Sequence, residues 1–117
     1  MGQPVVHWEI AAKDASKLEG FYAQLFDWKI SRHSPDYGLV ETGGHGGING
    51  GIFQLQEGVP NYNLTFYVHV DDLQAYLDKA EKLGGKTIVP PMPIPNIGQF
   101  AMFADPEGHT IGLFKGQ

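Results

Sequence analysis

A chain of 117 residues that is 42% hydrophobic and 18% charged has the composition of a single globular domain, able to bury a core without disulfides or a structural metal. Its net charge of -5, with eight scattered Lys and Arg residues, would repel a phosphate backbone and sets nucleic acid aside as a partner. With no cysteine, no signal-peptide pattern and no apolar run near the roughly 20 residues a bilayer needs, thiol chemistry and membrane roles are not expected, and the cytoplasm is the expected location.

In chain order, Val6, Trp8 and Ile10 alternate with Val5, His7 and Glu9, the period of two of a strand with one packed face and one mixed face. Asp14 follows as a helix N-cap, and Leu18, Phe21, Tyr22, Leu25 and Phe26 recur at helical spacing as an apolar face, with the helix ending at Asp27. Strands are predicted at Lys29-Ser34 and Tyr37-Thr42, and a closing strand at Ile48-Phe53. The glycine-rich run before it, Gly43 to Gly51, lacks the spacing of a phosphate loop and precedes no helix, so it reads as a loop entering a strand, with Gly50 and Gly51 where another surface comes close.

The same pattern then repeats. At an offset of 58, His7-Ile30 aligns with Thr65-Ile88 without a gap, Asp14 meeting Asp72, Leu25 meeting Leu83 and Ile30 meeting Ile88. Phe66, Val68 and Val70 form the apolar face of the second copy, and Thr65, Tyr67 and His69 the mixed one. Leu73, Tyr76, Leu77, Ala80 and Leu83 form its helix face, and Gly84-Gly85 the stop. Lys86-Val89 and Gln99-Ala104 read as strands, with Pro90, Pro91, Pro93 and Pro95 between them as a stiff extended rim or connector, and Asp105-Pro106-Glu107-Gly108 as a turn. His109-Phe114 closes this half at a slightly longer offset. The expected fold is α+β, one domain over residues 1-117 made of two βαβββ modules, about 5-55 and 62-115, whose mixed faces line an open, curved-sheet small-molecule cavity.

On VVHWEIAAKD with FYAQLFDW, GINGGIF, YVHVDDL with KAEKLGGK, and VPPMPIPNIGQFAMFADPEGHTIGLF, the chain resembles the vicinal-oxygen-chelate superfamily of glyoxalases, bleomycin-resistance proteins and dioxygenases. Within it, the chain is similar to single-domain proteins related to lactoylglutathione lyase. The resemblance implies paired βαβββ modules around a cavity, often completed by a second chain, and in many members a divalent metal held by one ligand from the first and one from the last strand of each module. Carried over position by position, those four slots hold His7, Gly51, Thr65 and Gly112, of which only His7 is a good ligand, so no metal is expected at the usual site.

His7, Glu9 and His69, all on mixed faces, form the candidate catalytic set, with a displaced metal site, acid-base work and plain hydrogen bonding in a wet cavity as its three readings. Thr65, Tyr67, Gly50, Gly51, Phe100 and Met102 are the candidate ligand-binding residues, while His33, His45 and His109 read as exposed loop histidines. Two functions compete: a lyase or isomerase moving a proton beside a carbonyl, with Glu9 or His7 as base, and a metal-independent protein that sequesters a small molecule. No cofactor is expected. The expected partners are a small-molecule ligand and a second copy in a homodimer.

Overall fold

The computed structural model describes residues 2–58 and 62–117. Its elements are β1 (Val5–Ala12), α1 (Ala15–Phe26), β2 (Lys29–Ser34), β3 (Tyr37–Glu41), β4 (Gly50–Gln54), β5 (Leu64–His69), α2 (Leu73–Lys82), β6 (Lys86–Ile94), β7 (Gly98–Ala104) and β8 (Thr110–Gly116). This is the α+β order βαβββ, twice. Two compact units result, one of His7–Thr65 and the other of Phe66–Gln117 with the N-terminal residues through Val6. No helix of the described residues is long and apolar enough to cross a membrane.

Both modules have one topology. In the first the strand order is β2-β3-β4-β1, with β1 parallel to β4 and the other neighbours antiparallel. In the second the order is β6-β7-β8-β5, with β5 parallel to β8. A parallel pair needs a crossover, which the helix and the two following strands provide.

The alternation along β1 decides the first core. Trp8, Ile10 and Ala12 turn toward α1 and pack with Val40, Ile52, Ala15, Leu18 and Tyr22. Val68 of β5 and Val70 just after it do the same with Ala101, Leu113, Leu73, Tyr76 and Leu77. The side-chain carboxylates of Asp14 and Asp72 cap the helices, accepting from the backbone N–H of Lys17 at 3.2 Å and of Ala75 at 3.1 Å. At the other ends Asp27 itself takes the left-handed conformation (φ 59°), and Gly84 does so after α2 (φ 103°).

The structure differs from the sequence reading at several places. Phe21, Leu25 and Phe26 are 55%, 57% and 53% exposed. The inward line of α1 is instead Ala15, Leu18, Glu19 and Tyr22, of which Ala15 and Glu19 are buried. Glu19 stands 58 residues before Leu77, the most deeply buried residue of α2, and it pairs there with Arg32 of β2. Leu83 and Phe66 are exposed as well. The closing strand of the first module starts at Gly50 because the preceding residues are bonded otherwise: Ile48 O accepts from the Trp8 indole at 2.7 Å, and Asn49 Oδ1 from Thr42 N–H at 3.0 Å. Those bonds also end β3 one residue early, at Glu41. The proline segment is strand, paired with β7 through Ile94, and its register slips between Val89 and Met92 where prolines supply no N–H. His33 lies within β2 rather than in a loop, its ring edge-on to Tyr37.

Candidate functional site

In the first module the sheet face away from α1 carries the chemistry. Across three strands Glu9 sits beside Gly51 and Gly51 beside Leu39, while Tyr37 sits beside Phe53. Tyr37 therefore shares a face with Glu9, and its phenol crosses the β4 backbone to reach it. Tyr37 Oη donates to Glu9 Oε2 at 2.6 Å. Tyr62, just before β5, donates its phenol proton to Glu9 Oε1. Glu9 is only 7% exposed, so these bonds compensate a carboxylate that burial would otherwise penalise heavily.

His7 completes the chain, with Nε2 at 2.8 Å from Tyr37 Oη. The single phenol proton of Tyr37 goes to the acid, so the imidazole must donate to the phenol oxygen through Nε2–H. In the neutral ring the lone pair then resides on Nδ1. Burial holds the His7 pKa below its ordinary value of 6.5, and the negative charge of Glu9 pulls it partly back. Phe53 walls the group, stacked on Tyr37 at 6.4 Å between centroids and tilted against Tyr62 at 5.7 Å.

A stability prediction follows from His7. Its folded pKa is depressed, so between that value and 6.5 the unfolded chain binds more protons than the folded one, and stability is lost as pH falls through that window. Wild type minus His7→Gln, measured by urea unfolding at several pH values, is expected to decline below pH 6.5 with a slope of at most about 1.4 kcal/mol per pH unit. A difference that stays flat or grows on acidification would remove the buried-neutral assignment.

The two glycine slots are glycine for a packing reason. A Cβ on Gly51 would meet the Tyr37 ring and hydroxyl closer than 3.0 Å. Within the second module a Cβ on Gly112 would meet the Tyr67 ring as closely, and Tyr67 lies directly opposite Gly112 in register, 7% exposed. Gly50 likewise makes room for Trp8, on the helix side of its sheet. Each slot where a last-strand ligand would project is thus taken by a tyrosine ring. Thr65 is buried. Among the described residues no three His, Cys, Asp or Glu side chains gather as a metal-binding set.

Of the residues singled out from sequence, His7, Glu9 and Gly51 come together, joined through Tyr37. His69 lies in the second module, exposed, with its ring 6.3 Å from Phe114. Phe100 lies beside Phe114 in register, and Met102 beside Gly112, where it is buried. His45 is exposed, and His109 is exposed and paired with Asp105 at 3.0 Å. Sequence reasoning missed Tyr37 and Tyr62. Tyr37 had a signal, since it begins a predicted strand two residues before Leu39 and so shares its face. Tyr62 had none, because it lies in a connection with no period.

The class this architecture defines is that of paired βαβββ modules, here with a buried polar group on the sheet face away from the helix of the first module. The model of the Glyoxalase/Bleomycin resistance protein/Dioxygenase superfamily matches residues 5–113, and the chain belongs to that superfamily. It is 31% identical over 114 residues to a glyoxylase-like domain-containing protein of Didymella fabae, covering 90% of this chain and 88% of that one. It is 35% identical over 124 residues to the anthracycline biosynthesis protein DnrV of Streptomyces peucetius, covering 92% of this chain and 45% of that protein, so it spans less than half of that relative. Methylmalonyl-CoA epimerase from Mycobacterium tuberculosis shares the fold with a TM-score of 0.74 at 14% identity, over 97% of this chain and 87% of that one.

Divalent-metal chemistry occurs in the superfamily, but the residues here do not fit a metal at the four usual positions. Two are glycines whose side-chain space is filled by Tyr37 and Tyr67, and one is threonine, a poor neutral ligand.

Proposed function

We propose that the chain is a metal-independent lyase or isomerase of this superfamily that moves a proton beside the carbonyl of a small substrate, with His7 as the base. The observation that carries this reading is the half-buried chain from His7 through Tyr37 to the buried Glu9. Desolvation keeps the imidazole neutral and able to accept a proton at neutral pH. Once His7 is protonated, its positive charge is stabilised by Glu9 through the bridging phenol, so the acid favours the state that forms during reaction. Both oxygens of Glu9 are engaged by phenols, which makes it the orienting group rather than the base.

The test begins with a thermal-shift screen of small carbonyl compounds, including dihydroxyacetone and the hemithioacetal of methylglyoxal and glutathione, because a ligand of the folded state raises apparent stability. Those that bind are then followed in D2O by proton NMR. Exchange of the proton next to the carbonyl is expected to be at least about 100-fold faster with wild type than with His7→Gln. Equal exchange with both proteins would overturn the assignment of His7.

A second reading, binding without turnover, is favoured by one feature, the aromatic wall of Tyr37, Phe53 and Tyr62. Its signature is a ligand that raises the melting temperature of wild type and His7→Gln alike, with no exchange in either.

A further inference from the structure

We propose that the second module holds a separate pocket, between α2 and the helix-side face of its own sheet, for a small aromatic molecule bearing a carboxylate. The argument starts from the internal repeat. In the first module the rings of Tyr22, Phe26 and Trp28 lie against one another at 5.0–6.2 Å between centroids, with Trp8 against Trp28 at 5.3 Å. Tyr22, Trp28 and Trp8 pack into the helix–sheet core while Phe26 covers them from outside. At the offset of 58 their counterparts are Ala80, Gly84 and Lys86. Three aromatic side chains are replaced by a methyl, a hydrogen and a solvent-seeking chain.

Pro106 lies against Gly84, but beside Ala80 the space of the missing rings is open. A cavity of about 390 Å³ lies there, walled by Val70, Ala80, Leu83, Phe103 and Leu113. That volume is within the range of small-molecule sites, and the wall is almost entirely apolar. Leu83 is 71% exposed, as expected of a residue at the mouth of a pocket. Because the same space in the sister module accepts stacked rings, a flat aromatic body fits it better than a branched aliphatic one.

Charge at the rim supplies the second half of the recognition. Lys79 lines the pocket where the first module has Phe21, and among the described residues it has no ion-pair partner. The other charge at the rim, Asp105, is turned into its own loop: it accepts from the N–H groups of Glu107 at 2.9 Å and His109 at 3.0 Å and pairs with the His109 ring. With Asp105 so engaged, Lys79 is the charged group that remains at the rim, beside the uncharged Gln3 and Tyr76, and its complement is an anion.

The probe is naphthalene-2-carboxylate, titrated into the 15N-labelled full chain by NMR, with naphthalene-2-methanol as its uncharged counterpart. Saturable shifts are expected at Val70, Ala80, Leu83, Phe103 and Leu113. Lys79→Gln should weaken the carboxylate about fivefold and leave the alcohol unchanged. Ala80→Tyr, which restores the ring that Tyr22 provides in the first module, should abolish binding of both. If that variant does not fold, the wild-type shift map and the Lys79→Gln comparison decide alone. Absence of saturable shifts, shifts centred on Tyr67 and Gly112, or wild-type binding by folded Ala80→Tyr would overturn the pocket. Equal losses for both probes in Lys79→Gln would overturn the carboxylate.

Discussion

Gly51→Ala is expected to destabilise the protein by about 2–4 kcal/mol in urea unfolding, although it adds a single methyl group to a strand. The added carbon would lie closer than 3.0 Å to the Tyr37 hydroxyl and ring, and all the neighbouring strand positions are in register, so the ring must move rather than the backbone. Moving it breaks the 2.6 Å bond to Glu9 and the 2.8 Å contact with His7, leaving a buried carboxylate short of a donor. Two costs add, overpacking and an unsatisfied buried charge. The double variant Gly51→Ala/Tyr37→Ala should therefore lose less than the sum of its parts, since the clash disappears with the ring. Simple additivity would show that Gly51 does not act through Tyr37.

Arg32→Ala is the second large effect, with an expected loss of about 1–3 kcal/mol, set below the usual figure for a broken buried pair because the Arg32 side chain is 43% exposed. What remains is Glu19, on the buried side of α1, with one oxygen that already has no hydrogen-bond partner among the described residues. The reciprocal change should go the other way. Glu19→Leu places in the first module the residue that Leu77 already supplies in the second, and is expected to be neutral or stabilising by about 1–2 kcal/mol. Gly38 limits the gain, because it lies directly against the Glu19 carboxylate and leaves little room for repacking. Chemical denaturation of both variants checks the pair; a strongly destabilised Glu19→Leu would mean that the ion pair stabilises the module in its own right.

Glu19 also explains what was legible in the sequence. The repeat at an offset of 58, the strand alternation at Trp8 and Ile10, and the caps at Asp14 and Asp72 depend on local backbone geometry, and all reappear in the structure. The face of α1 was misread because a charged residue holds a central buried position, so the apolar pattern pointed one step around the helix, toward Phe21 and Leu25. The second copy contained the correction, since Leu73, Tyr76, Leu77 and Ala80 map onto Ala15, Leu18, Glu19 and Tyr22. In the candidate site His7 and Glu9 were readable from one strand. Tyr37 stood on a predicted strand, but its meeting with Glu9 depended on how β3 registers against β4, and Tyr62 depended on a loop path; neither register nor path has a periodic signature.

The prolines of β6 have a consequence beyond their slipped register. This strand ends its sheet, with β7 on one side, and a bare strand edge is ordinarily a template on which another extended chain can zip. Pro90, Pro91 and Pro93 carry no N–H, so β6 has three fewer donors to offer an incoming strand than a regular edge of its length. The irregular register at Pro90 and Pro91 also interrupts the even spacing that a partner strand would have to match. Both features make this margin a poorer template for added backbone pairing.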